Sequence, residues 1–298
     1  MSKKNRGWQK AGKRADESGV TSAGQERHPY LYRYLRFPLE KPRPDRDGGS
    51  EMLKDVLVNR RVRASNPLYF NDPWDCKPRI HPDLLKDPEL RQTMAESFVL
   101  NQKDGPKGDP TDRRLINDPA FLTRNIDGFN DFMVDFIRTR WGIICLTIFP
   151  CSTLMWSHYS DNHKGVCLQF RVHGTVFQAA AKVLYRGEYP KMVLGGNLVN
   201  HMLIVKAKEW EKEAEYRLIC SLSEELTQVK ESPLIMKDGF LPIDDALHAV
   251  IMGCEIGKDE EAAIKDLLKT HAPHVRLKRA VRVPHNYLLK LEDVNEPQ

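Results

Sequence analysis

Residues 153–170 read "TLMWSHYSDNHKGVCLQF", and this stretch decides how the chain is built. Ser152 stands where an N-cap belongs, Thr153 to Ser160 can form a short helix, Asp161 to Gly165 is polar turn material, and a strand follows from Val166. On such a helix Met155 and Tyr159 share a face, as do Leu154 and His158, while Trp156 leans into the core. Ser157, His158, Asn162, His163 and Lys164 then gather near one end of a sheet. A capped helix and a polar turn, with His158 bonded internally, would account for the same residues without any activity. Cys151, His158, His163 and Cys167 are four potential zinc ligands, but their spacing matches no closed site and Cys167 falls inside the strand. No metal is expected.

Outward from this unit, helices and strands alternate at irregular intervals. Strand character marks "YLYRYLRF" (30–37), "RRVRAS" (60–65), "GIICLTIF" (142–149), "GVCLQFRV" (165–172) and "KVLYRGEY" (182–189). It returns in "EYRLICSL" (215–222), "AVIMGCEIG" (249–257) and "HVRLKRAVRV" (274–283). Helical periodicity marks a segment capped by Ser50, one from Pro119 with Phe121, Leu122, Phe129, Phe132, Met133, Phe136 and Ile137 on its apolar face, and also 198–213 and 258–270. No glycine-rich strand-to-helix turn of the dinucleotide or P-loop kind occurs. The pattern therefore predicts an α+β fold, a curved mixed and mainly antiparallel sheet flanked by helices, rather than a doubly wound one.

The chain has 298 residues, 41% hydrophobic and 29% charged, and residues 28–298 are read as a single domain. Residues 1–27 lack apolar periodicity and are read as a disordered basic tail, and a polar insertion is placed around 82–118. No apolar run approaches the roughly 18 residues of a membrane span, and the N-terminus has no signal-peptide core, so a cytoplasmic protein with no membrane contact is expected. Six cysteines without paired spacing fit free thiols. The net charge of +5 favours anionic partners, although much of it lies in the tail.

Two further stretches concentrate polar chemistry. In "FNDPWD" (70–75) turn chemistry explains Asn71, Asp72 and Pro73, and Asp72, Trp74 and Asp75 are expected at the rim of the turn. In "WEKEAEYRLI" (210–219) Glu213, Glu215 and Arg217 alternate, so an extended chain would turn all three to one side. A solvated helix end with a Glu213 to Arg217 pair is the competing explanation.

Taken in order, "LYRYLRF", "FNDPWD", "LMWSHYSDNHKGVCLQF" and "KEWEKEAEYRLI" resemble a bacterial family of unknown function, DUF2971, over roughly residues 30–225. The family implies no activity. A more distant likeness is to ADP-ribosyltransferases, whose split curved sheet grips NAD with an Arg or His on the first strand, a Ser or Tyr on a middle element and a Glu on a later strand. That likeness implies catalytic Glu215, Glu213 and His158, with Arg33, Tyr34, Asn71, Asp72, Trp156, Ser157 and Tyr159 holding the nucleotide. Arg33 would take the pyrophosphate, and Tyr34, Trp156 or Tyr159 would stack on nicotinamide.

Three classes of function stay open on the residues alone. One is an NAD-using transferase or glycohydrolase, a toxin or defence effector acting on a nucleic-acid or protein acceptor. Another is a non-enzymatic sensor or binding module for a small anionic nucleotide or a nucleic acid. A nuclease using metal held by Asp72, Asp75 and Glu215 is a third. Oligomeric state is not legible.

Overall fold

A computed structural model describes residues 28–37, 49–77, 126–189, 202–221 and 234–294, with a few positions between 79 and 120. The tail and most of the polar insertion lie outside the described residues.

The architecture is α+β, built on a nine-stranded mixed sheet. Its strands are β1 (Tyr30–Leu35), β3 (Trp141–Thr147), β4 (Val166–Arg171), β5 (Ala181–Lys182), β8 (Glu215–Ser221), β9 (Leu234–Ile235), β11 (Leu247–Met252), β12 (Arg276–Arg282) and β13 (Leu289–Asp293). They run in the order β13-β12-β11-β4-β1-β3-β8-β5, with β9 beside β8. Within this sheet the pairings are antiparallel except β11 with β12 and β8 with β9. The parallel pair needs a crossover, which helix α4 (Lys258–His271) supplies. Two small sheets stand apart: β2 (Arg61–Arg63) with β10 (Phe240–Pro242), and β6 (Leu184–Arg186) with β7 (Val205–Ala207).

Alternation in β1 splits the sheet into two faces. Leu31 and Leu35 join the larger core, where Leu53, Val56 and Leu57 of helix α1 (Gly49–Leu57) and Ile264 and Leu268 of α4 also pack. Tyr32 and Tyr34 point the other way, into a second cluster with Trp156, Cys167, Ile251 and Ala280. Helix α3 (Thr153–Tyr159) delivers Trp156 to this face, and the Ser152 hydroxyl accepts from Met155 N as its N-cap. Helix α2 (Ile126–Arg140) leads directly into β3. All six cysteines are free thiols. Among the described residues no helix is long and apolar enough to cross a membrane.

Three expectations need correction. Segment 198–213 is not one helix: Met202–Ile204 make a helical turn, β7 follows, and a 3-10 helix spans Lys208–Glu213. Parallel pairing of Val205–Ala207 with Leu184–Arg186 overrides the helical propensity of the segment. "KVLYRGEY" is likewise divided, because β5 pairs with β8 while β6 pairs with β7. Ser50 lies inside α1 rather than before it.

The turn after α3 packs backbone against backbone. Asp161, Asn162 and His163 all have positive φ, and Gly253 N donates to Gly165 O at 2.9 Å while Glu255 N donates to His163 O at 3.1 Å. A Cβ on Gly253 would lie 1.9 Å from the His163 carbonyl oxygen. Gly253→Ala must therefore push this turn off β11, with a loss of about 1–3 kcal/mol in denaturant unfolding.

Candidate functional site

The face of the sheet that carries Tyr32 also carries the chemistry. Register places Tyr32 opposite Thr147, Thr147 opposite Glu215, and Cys145 opposite Arg217, so these side chains share one face. Arg217 is fully buried. Its Nε and Nη2 donate to the two Glu215 carboxylate oxygens at 2.7 and 3.0 Å, and Nη1 and Nη2 donate to the two oxygens of Asp75 at 2.9 and 2.6 Å. Nη1 also reaches the Leu203 carbonyl at 2.7 Å, so all five guanidinium donors are used. Phe70 presents its ring 5.5 Å from the guanidinium carbon.

Lys206 of β7 completes the cluster. Its Nζ lies 2.6 Å from Glu213 and 3.0 Å from Glu215, and 4.9 Å from the Trp210 ring centroid. Burial alone would depress the lysine, but Glu215 and Glu213 outweigh it and hold the ammonium well above its usual range. Burial alone would raise Glu215, yet Arg217 and Lys206 pull it from 4.5 down to about 2. Asp75, Glu213 and Glu215 against Lys206 and Arg217 leave the buried cluster one negative charge in excess.

Tyr159 links this cluster to the helix. Its hydroxyl donates to Glu213 Oε1 at 2.7 Å, and the exposed Asn71 side chain lies beside it. Burial and the Glu213 charge push the phenol pKa well upward, so it stays a donor. Glu213 ends the 3-10 helix, and Ala214, at φ 43°, turns the chain so that Glu213 meets Lys206 before β8 begins. The extended alternation expected of the three charges thus holds for Glu215 and Arg217 and not for Glu213. Nor is this a solvated helix end, since all three side chains are buried.

Glu213, Glu215, Tyr159 and Asn71 come together. His158 is exposed beside Tyr159, with ring centroids 6.2 Å apart. Ser157 is half-buried, two residues from Tyr159 and so about 200° around the helix axis. Asp72 and Asp75 are not at a rim but buried, at 2% and 3% exposure, because Asp75 is drawn onto Arg217 while Asp72 Oδ1 accepts from Trp74 N. Of the three residues expected at the rim, Trp74 is the exposed one. Arg33 does not join: it is paired with Leu168 on the opposite face, and its Nη1 donates to the Arg63 carbonyl at 2.8 Å. Tyr34 and Trp156 are packed edge to face, their centroids 5.0 Å apart, with their polar atoms bonded to the Phe149 and Pro150 carbonyls. Neither presents a free ring face to a nicotinamide. Sequence reasoning missed Lys206, whose signal is a lone cation inside the apolar run "MLIVKA", and gave Asp75 no place beside Arg217.

Comparison with known families agrees with one resemblance. The sequence model of a family described as a protein of unknown function, DUF2971, matches residues 155–218, a span that runs from α3 to Leu218 of β8 and holds Tyr159, Lys206, Glu213, Glu215 and Arg217. The chain resembles that family there. No curated protein and no solved structure gives a match, so the likeness to ADP-ribosyltransferases gains no support from them.

Two outcomes follow from the charge cluster. Arg217→Lys keeps the charge but loses both forked pairings, and should lower stability by about 3–5 kcal/mol in chemical denaturation. Glu215 has a folded pKa below its unfolded value, so its contribution is full above pH about 4.5 and disappears as pH falls toward 2. Glu215→Gln should flatten that part of the stability profile measured by thermal melting.

Proposed function

We propose that the cluster serves cleavage of an N-glycosidic bond, with NAD as the substrate and a glycohydrolase or ADP-ribosyl transfer outcome. The observation that carries this is the Tyr159, Glu213 and Lys206 chain: a carboxylate oriented from both sides, at the least buried end of a network with excess negative charge. As the bond from ribose C1′ to nicotinamide breaks, its electron pair leaves with the neutral nicotinamide and positive charge grows on the ribose. A fixed carboxylate nearby stabilises that charge. Water or an acceptor then bonds to C1′ and passes its proton to Glu213.

In this scheme Glu213 is the catalytic carboxylate and Tyr159 its positioning residue. Glu215 is locked between Arg217 and Lys206 and acts as a fixed negative charge behind it. Arg33 has no part, since it lies on the other face. Asn71 and His158, exposed beside Tyr159, are the groups placed to meet a nucleotide. The use of every Arg217 donor within the protein favours a second reading, a rigid non-enzymatic nucleotide sensor.

The test is release of nicotinamide from NAD by the purified chain, with and without cell extract as acceptor. Glu213→Gln should lower kcat by roughly 100-fold or more with melting behaviour retained, and Tyr159→Phe should lower it less. Binding of NAD without nicotinamide release selects the sensor. Unchanged turnover in Glu213→Gln removes this residue from the chemistry.

A further inference from the structure

A second cluster lies on the same face, away from the acidic one. The register aligns one row across the sheet: Arg276, Ala249, Gln169, Tyr32, Thr147 and Glu215. Gln169 and Glu215 are three strands apart, or about 14 Å at the usual spacing. Around the Gln169 end, β11 carries a bulge between Leu247 and Ala249, and its extra residue, His248, is set against Tyr30. The two rings are tilted by 31° with centroids 4.8 Å apart. Arg171, opposite Tyr30 on β4, and Arg276 and Lys278 on β12 share this face. Burial lowers the His248 pKa, and Arg276, Arg171 and Lys278 lower it further, which keeps the imidazole neutral and its face free of charge.

The carboxylate counterweight is small. Asp293 reaches Lys278 only at 3.8 Å, and among the described residues no carboxylate pairs with Arg171 or Arg276. Beneath the rings, Gln169 is 4% exposed and donates to the Tyr32 hydroxyl at 3.3 Å, while its Oε1 has no partner. Turning the amide over would satisfy the oxygen and strand the nitrogen, so one end stays unmet either way.

We propose that this face binds single-stranded nucleic acid, with Tyr30 and His248 as a stacking platform for bases and Arg171, Arg276 and Lys278 holding the phosphates. Arg171 is anchored by donating to the Asp245 backbone carbonyl, which leaves its charge uncancelled. Stacking rings bordered by cations with so little carboxylate to offset them suit exposed bases on a charged backbone, whereas a duplex hides its base faces. Gln169 offers a hydrogen-bonding group to a base that parts the rings. The surface is separate from the acidic cluster, and its occupancy does not rest on NAD chemistry.

The measurement is fluorescence anisotropy of the full chain with a labelled 12-nucleotide single strand, in DNA and RNA form, over a salt series. Arg276→Glu combined with Lys278→Glu should weaken binding at least ten-fold and flatten the slope of log affinity against log salt by about 1.4, two phosphate contacts' worth. Tyr30→Leu should weaken it about five-fold or more with the salt slope unchanged. Lys265→Glu with Lys269→Glu, exposed on α4 over the opposite face, should leave affinity within two-fold. Equal loss in that control assigns binding to general charge and overturns the proposal, as does tighter binding of the matching duplex or no binding by the unaltered chain at 50 mM salt.

Discussion

A guanidinium with no access to water governs the middle of this protein. Arg217 could not be buried on β8 unless every donor found an acceptor, because an unpaired charge in the interior costs several kcal/mol. Its acceptors come from three places: Glu215 on the same strand, Asp75 in the turn after β2, and the Leu203 carbonyl just before β7. Meeting that one requirement ties the edge of the large sheet to the small β6–β7 pair and to a distant loop. Lys206 then follows, since three carboxylates around one cation would repel each other.

The two faces of the sheet divide the work. On one, helices α1 and α4 bury leucine and isoleucine side chains and leave no room for chemistry, which is why Arg33 is spent on a backbone carbonyl there. On the other, the helix carrying Trp156 packs that ring against Tyr34 within a smaller cluster that includes Cys167, Ile251 and Ala280. Charge is sorted along that second face as well, with carboxylates in excess at β8 and cations in excess at β12. A bulge and a left-handed residue, at His248 and Ala214, aim side chains that regular strands would have turned elsewhere.

Much of the secondary structure was legible, because apolar runs such as "GIICLTIF" and "VCLQF" match central strands and Ser152 caps its helix through its own hydroxyl. Segment 198–213 was misleading: its spacing is helical, but a parallel strand partner and the pull on Lys206 both come from outside it. Strand β13 was invisible, being a charged edge strand defined by its pairing with β12 and not by burial. Of the site, the Glu-Ala-Glu segment and Tyr159 could be picked out by residue type. That Asp75 and Lys206 sit with them depends on contacts 142 and nine residues apart in sequence.

By itself, then, the sequence determined the mixed class of the fold, the capped helix and turn of 153–165, and the side chains able to carry acid and base chemistry. Periodicity and capping are local, and local rules read them. Only the tertiary structure decided which face each side chain took, that Arg33 is excluded, and that two acids expected at a rim are buried, Asp75 against a guanidinium and Asp72 on the Trp74 N–H. Register between strands is set by pairing across the sheet, and a shift of one residue would exchange every side chain between core and site.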